Sequence, residues 1–230
     1  MKKSDYQSFK QADQYYRLRF SNLSQVNQDE MLLLEKWLKD VGTKKIHLDL
    51  GTGTGRIVTI LLKHHPKKIY ALDQSEAMLK YLNHLYKKEV EAKKIRTVKA
   101  TSSKIPVNSS TIDIITAFHL FKHLPDIEPT LKEADRILKK GGYLIFDALN
   151  TNSLIRFNLG TCFALSDIEL FDKLSKNGFI IHNVAYLHNF GETVYNLLGL
   201  AAKIIQPADL FMSEHFKIGT KIFVLAKKYG

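Results

Sequence analysis

The sequence predicts an α/β fold, a mostly parallel sheet with helices on both faces, and three observations carry that reading. Short apolar runs of strand length alternate along the chain with longer stretches of helical periodicity. The first run, Ile46-His47-Leu48-Asp49-Leu50, breaks into glycines at alternate positions, Gly51, Gly53 and Gly55, and a helical pattern opens directly behind them at Arg56. Further along, a helical stretch from Leu131 runs into Gly141-Gly142 and then into the apolar run Tyr143-Leu144-Ile145-Phe146.

Strand, glycine turn and helix in that order form a unit that cradles nucleotides. Glycines let the backbone take positive φ and let a ligand approach closely, and the helix start behind them offers unpaired N–H groups. The spacing narrows the ligand. A dinucleotide fingerprint reads G-x-G-x-x-G, and its last position here is Arg56, whose side chain conflicts with the tight helix–strand contact of the third glycine. The pattern Asp49-x-Gly51-x-Gly53-x-Gly55 instead resembles motif I of the class I S-adenosylmethionine-dependent methyltransferases. The resemblance implies a Rossmann-like seven-stranded sheet in the order 3-2-1-4-5-7-6, strand seven antiparallel. It also implies S-adenosyl-L-methionine as cofactor, cradled by Asp49, Gly51, Thr52, Gly53 and Gly55. No metal is expected.

Residues 1–24 are polar and aromatic around Tyr15-Tyr16-Arg17-Leu18-Arg19-Phe20. They read either as a loosely held tail or, by the resemblance, as a lid over the cofactor. Asn27 and Glu30 have the spacing of a capping box for a helix that runs on through Trp37-Leu38 and stops at Gly42. This divides the chain into an N-terminal helical segment, 1–43, and a main domain, 44–230. The second strand, Ile69-Tyr70-Ala71-Leu72, ends in Asp73, an acid placed to accept hydrogen bonds from ribose hydroxyls. Gln74-Ser75-x-x-Met78 continues the family pattern; Ser75 caps the next helix, and Met78 suits either core packing or an adenine contact. Ile95 to Lys99 is strand three, and where the family usually has Gly-Asp-Ala this chain has Ala100-Thr101-Ser102. Thr101 or the Ser102 amide then takes the adenine contact. Ser103-Lys104-Ile105-Pro106 restores the pattern.

The run from Asp113 to Leu124 resembles motif IV, a buried strand ending near Ala117, with Phe118 and His119 at the carboxyl end where open α/β sheets bind ligands. No Pro-Pro-aromatic triplet follows, which separates it from the amino-methylating DNA enzymes. His123 reads as structural, and His119 as an acceptor contact or base, with Asp147 and His188 behind it. Residues 131–142 resemble the family's L-x-E-x-x-R-x-L-K-x-G-G segment, with Gly141-Gly142 as a helix C-cap and Arg136 as a contact to the sheet edge. Ser166 and Glu169 form a second capping-box pattern. Insertions are expected at about 150–165 and 187–215, rich in Phe157, Phe163, Phe190, Tyr195 and Phe211, and Lys221 to Ala226 closes the sheet through a hairpin.

Composition bounds the rest. A hydrophobic content of 45% suffices for a buried core, no apolar run approaches the length of a membrane span, and the start lacks the pattern of a signal peptide. The single Cys162 fits the reducing cytoplasm and reads as an idle or packed thiol. The net charge of +11 invites a nucleic-acid partner, but the excess lies between residues 63 and 104, where solvated helix faces explain it, while 150–215 is mildly acidic. The resemblance implies methyl transfer to an O, N or C atom of an acceptor, and the aromatic insertions favour a small or lipophilic molecule. The competing readings are a transfer-RNA methyltransferase that uses the basic half, and a non-catalytic protein of the same fold.

Overall fold

The computed structural model describes residues 8–20, 25–42, 45–153, 162–190 and 192–229. Two helices, α1 (Phe9–Phe20) and α2 (Gln25–Val41), precede β1 (Ile46–Leu50), α3 (Arg56–Lys63), β2 (Lys68–Asp73), α4 (Glu76–Leu85), α5 (Lys87–Glu91) and β3 (Ile95–Lys99). The second half runs β4 (Ile112–Ala117), α6 (Glu128–Ile137), β5 (Leu138–Asn150), β6 (Ala164–Leu165), α7 (Asp167–Lys176) and β7 (Phe179–Leu187). It ends with α8 (Glu192–Leu198), α9 (Ala202–His215) and β8 (Lys221–Lys228).

The sheet order is β3-β2-β1-β4-β5-β8-β7, which is the expected order, with the two-residue β6 added parallel to the end of β5. All pairings from β3 to β5 are parallel, and β8 is antiparallel to both β5 and β7. Strand periodicity sorts the core into two layers. Leu144, Phe146 and Ala148 of β5 and Ile222 and Val224 of β8 face α6 and α7, against Leu131, Ala134, Leu170 and Leu174. Ile145 of β5 and Phe223 and Leu225 of β8 face α2 and α3, against Leu34, Trp37, Leu38, Ile57 and Leu61. Each of the buried Val, Leu, Ile and Phe side chains among these stabilises the fold by roughly 1.5–3 kcal/mol relative to exposure. The same alternation turns Asp147 and Lys221 toward the α2 face, which matters below.

Helix starts follow local chemistry. The Ser75 hydroxyl accepts from the Met78 amide at 3.3 Å, and that of Ser166 from the Glu169 amide at 3.2 Å. Three expectations are corrected. Asn27 and Glu30 do not form a capping box, because α2 has already begun at Gln25 and both lie inside it. Gly141 and Gly142 do not cap α6 either, since that helix ends at Ile137 and the chain is extended by Leu138. They serve a bulge in β5, where pairing with β4 shifts register between Ile112 and Ile114. Gly141 has φ +73°, and a Cβ on Gly142 would lie 2.9 Å from the Lys139 carbonyl oxygen. Arg136 reaches the loop after β3 rather than the sheet edge, donating to the carbonyls of Ile105 and Val107. Between β7 and β8 the chain carries α8 and α9. Phe157 lies outside the described residues. Among these, no helix is long and apolar enough to cross a membrane.

Candidate active site

The glycine loop at the carboxyl end of β1 is built by backbone amides around one acid. The Thr52 amide donates to the Leu72 carbonyl at 2.9 Å, which sews the loop to the end of β2. Asp73 then holds the loop from outside: its Oδ2 accepts from the Gly53 amide at 2.9 Å and its Oδ1 from the Ser75 amide at 2.8 Å. Burial raises the Asp73 pKa against the pull of those amides. Gly55, at φ +93°, could carry no side chain, because a Cβ there would lie 2.7 Å from the Tyr86 ring, whose hydroxyl donates to the Gly55 carbonyl at 3.0 Å. The close contact at this loop is thus made at Gly55, against Leu82 and Tyr86 at the end of α4, and Arg56 turns elsewhere.

Asp49 lies beneath the loop, 1% exposed, with Oδ1 accepting from the Thr116 hydroxyl at 2.8 Å. Burial pushes its pKa up to about 6; the Thr116 hydroxyl pulls the other way, as does the nearby Thr52 hydroxyl, which closes no hydrogen bond to it. Asp49 Oδ2 and the hydroxyls of Thr52 and Thr54 are buried with no hydrogen-bond partner among the described residues. Such atoms are costly unless a ligand satisfies them. A loop that combines spare acceptors, hydroxyls and glycine backbone fits a cofactor with an amino-acid end and a ribose.

The remaining sequence candidates divide. Gln74 is exposed beside Asp73, and Ala117 and Phe118 end β4 next to the loop, although the Phe118 ring turns into the core with its centroid 5.7 Å from that of Phe223. Met78 is buried against Ala12 of α1 and Tyr81, with Tyr15 and Tyr16 packed alongside. Tyr81 donates to Asp13 at 2.8 Å, and Tyr15 comes within 4.0 Å of the Cβ position of Gly53, so α1 lies along α4 beside the loop. Thr101 is exposed and bridges to Lys104, and Ser102 Oγ pairs with Thr130 Oγ1 at 2.8 Å; both hydroxyls are engaged within the protein.

His119 stands in a charged cluster that sequence reasoning missed. Its backbone takes a left-handed φ of +60°, and its amide donates to Asp147 Oδ1. Its ring Nε2 lies 2.8 Å from Lys221 Nζ and 2.9 Å from Glu30 Oε2. Glu30, 1% exposed, also pairs with Lys221 through Oε1 and with Arg56 at 3.0 Å, and Lys221 approaches Asp147 at 3.7 Å. Arg56 further donates to Asn27 Oδ1. Burial, then the Lys221 charge, drive the His119 pKa down to about 3. Burial alone would raise that of Glu30, but Lys221, His119 and Arg56 outweigh it and hold the carboxyl well below its usual range. One sequence signal could have exposed the cluster. Arg56 is a cation in the first turn of a helix, where the helix dipole disfavours it, so it calls for a compensating acid.

His188 is not at this edge. It is 2% exposed and enclosed between Asp29 of α2 at 3.4 Å and Asp209 of α9 at 3.5 Å. A ring so enclosed offers no nitrogen to an acceptor, and it reads as a tie between the two helices.

Comparisons with known proteins agree with this geometry. Residues 48–146 match the family described as "Methyltransferase domain". The sarcosine/dimethylglycine N-methyltransferase of Halorhodospira halochloris is 30% identical over 47% of this chain and 39% of its own length. The demethylmenaquinone methyltransferase of Bacteroides fragilis is 31% identical over 50% of this chain and 47% of its own. The chain thus spans less than half the length of these two relatives. Among solved structures, a SAM-dependent methyltransferase from Aquifex aeolicus superposes with a TM-score of 0.64 at 20% identity, covering 94% of this chain and 98% of that one. Together with the glycine loop, Asp73 and the strand order, these matches show that residues 48–146 are similar to a methyltransferase domain and that the chain has the fold of the S-adenosylmethionine-dependent methyltransferase it superposes on.

Proposed function

We propose that this chain transfers a methyl group from S-adenosylmethionine to a small acceptor without a phosphate or carboxylate for the protein to pair, seated between the glycine loop and the His119–Lys221 cluster. The cofactor, when bound, supplies a methyl group activated on a sulfonium sulfur. The chain's own residues bind and orient. The loop from Asp49 to Gly55 and the Asp73 carboxylate would hold the cofactor, while the Asp147–His119 tie and Lys221 shape the acceptor end.

The observation that carries the acceptor class is charge balance. Arg56 and Lys221 are matched by Glu30 and Asp147, and His119 is neutral well above pH 3, so among the described residues this cluster offers no unmatched cation to an acceptor's phosphate or carboxylate. A His119 ring of such low pKa also makes a weak base. The reading therefore favours an acceptor whose nucleophilic atom attacks without first losing a proton to the protein, or loses it to water. The two relatives named above act, by their names, on small molecules, one an amino acid and one a quinone precursor. The single Cys162 suits the reducing cytoplasm, where we place the reaction.

A transfer-RNA acceptor draws support from the +11 charge. Part of the basic half is already paired at the surface, however: Lys63 with Glu35, Lys80 and Lys99 with Glu76, and Lys87 with Glu91. The test is turnover of labelled S-adenosylmethionine with panels of small amines, phenols and quinols against bulk transfer RNA at two salt concentrations. Turnover on a small acceptor, indifferent to salt, is the expected result. Turnover on RNA alone, falling steeply with salt, would replace this reading. Cofactor binding with turnover on neither panel would point to a non-catalytic role.

A further inference from the structure

We propose that Glu30, on the N-terminal helix α2, is a positioning residue of the transfer site: it holds Lys221 against His119 and Arg56 at the head of α3, and thereby sets which ring nitrogen of His119 carries the proton. The inference rests on the reading of this edge as the site of transfer, and it places α2 within the working site.

The neighbouring inward positions of α2, Leu34, Trp37, Leu38 and Val41, are buried and apolar. A carboxylate on such a face is costly unless several partners satisfy it, and a well-packed apolar side chain would commonly serve stability as well or better. Glu30 has partners from three other elements: Arg56 from α3, His119 from the turn after β4, and Lys221 from β8. Among the described residues, Asp147 from β5 is the further charged group that contacts the cluster. Asp29, the residue before Glu30, ties the same helix to α9 through Gln206 at 2.6 Å and to His188 at 3.4 Å. Two consecutive buried acids thus fix α2 between the insertion helix and the reacting edge.

The arrangement forces a choice at His119. A neutral ring nitrogen either accepts a hydrogen bond or donates one, and Nε2 faces both an ammonium at 2.8 Å and a carboxylate oxygen at 2.9 Å. Glu30 Oε1 already takes one Lys221 proton and Oε2 takes the Arg56 N–H, so the carboxylate is satisfied without the ring. Lys221 has further protons to give. Nε2 therefore accepts from Lys221, and Nδ1 carries the ring proton. The low pKa of His119 is set first by burial and then by the Lys221 charge, which a proton added at Nε2 would meet directly.

Nitrogen-15 spectra of the imidazole rings, followed through a pH titration of the cofactor-free protein, test this directly. In the wild type His119 is expected as the neutral Nδ1–H form down to low pH. Lys221→Met removes the cation and leaves the carboxylate, so the proton should move to Nε2 and the ring should titrate higher. Glu30→Gln does the reverse to the charge and should lower the titration further, with kcat down by at least about tenfold and little change in cofactor affinity. Glu30→Asp keeps the charge and should recover part of the rate. Should Glu30→Gln fail to fold, Lys221→Met and Glu30→Asp give the same two readouts. A His119 tautomer and titration unmoved in Lys221→Met and in whichever Glu30 variant folds, or an unchanged kcat in that Glu30 variant, would overturn the proposal. The spectra need neither cofactor nor acceptor. Folded wild type that binds no S-adenosylmethionine would sink the transfer reading and remain distinguishable from failure of this one.

Discussion

The two halves of the proposed site are built by different means. The cofactor half is made of backbone: amides of Thr52, Gly53 and Ser75 close on the Leu72 carbonyl and the Asp73 carboxylate, all within one strand–turn–helix–strand unit. The proposed acceptor half is made of side chains drawn from the length of the chain, with Lys221 meeting Glu30 across 191 residues and His119 meeting it across 89. Backbone sites need particular residue types at fixed spacing, because glycine and a capping acid are required by local geometry. Side-chain sites need only that distant residues arrive together, and they can be rebuilt for a new acceptor while the cofactor half stays fixed.

The comparison breaks most visibly at Asp73. Asp73→Ala removes a carboxylate that accepts two amide hydrogen bonds and should weaken S-adenosylmethionine binding by about 10- to 100-fold in a calorimetric titration. Gly55→Ala places a Cβ against Tyr86 at positive φ and should cost about 2 kcal/mol or more, read as a lower midpoint in denaturant. His119→Ala acts on the other half: turnover should fall while cofactor affinity holds, and full turnover on the true acceptor would remove His119 from the site.

A pH series sharpens the contrast. Burial raises the Asp49 pKa from 3.8 to about 6, so the folded state holds this proton more tightly than the unfolded chain. That contribution to stability is present below pH 4 and is lost as pH rises through 6; Asp49→Asn should flatten the slope in this window. A cationic cofactor favours the ionised carboxylate, so binding near pH 6 should release a proton, visible as a buffer-dependent heat. The smallest effect is expected far from both halves, where Ser166→Ala removes the cap of α7 at a cost of about 1 kcal/mol with cofactor binding untouched.

This division also explains what the sequence made legible. The Gly51–Gly55 loop, the Asp73 tip and the caps at Ser75 and Ser166 are set by neighbours in the chain and could be read from spacing, whereas the strand order came only with the family resemblance. Gly141-Gly142 was legible as a turn but not as a bulge, because the bulge depends on how β5 pairs with β4. Glu30 carried the signature of a cap and Lys221 that of a strand start, and nothing local distinguished either from those roles. Their meeting is fixed only when α2 packs on the face to which β5 and β8 turn Asp147 and Lys221. Met78 joined the core beneath α1 for the same reason: its partner Ala12 comes from another helix.

The most direct measurement is calorimetric titration of purified, cofactor-free wild-type protein with S-adenosylmethionine, with Asp73→Ala run alongside and NADH as control. The expected result is micromolar binding of S-adenosylmethionine, markedly weaker in Asp73→Ala, and no heat with NADH. Folded protein that gives no heat with S-adenosylmethionine, or binds it equally well without the Asp73 carboxylate, would contradict the account.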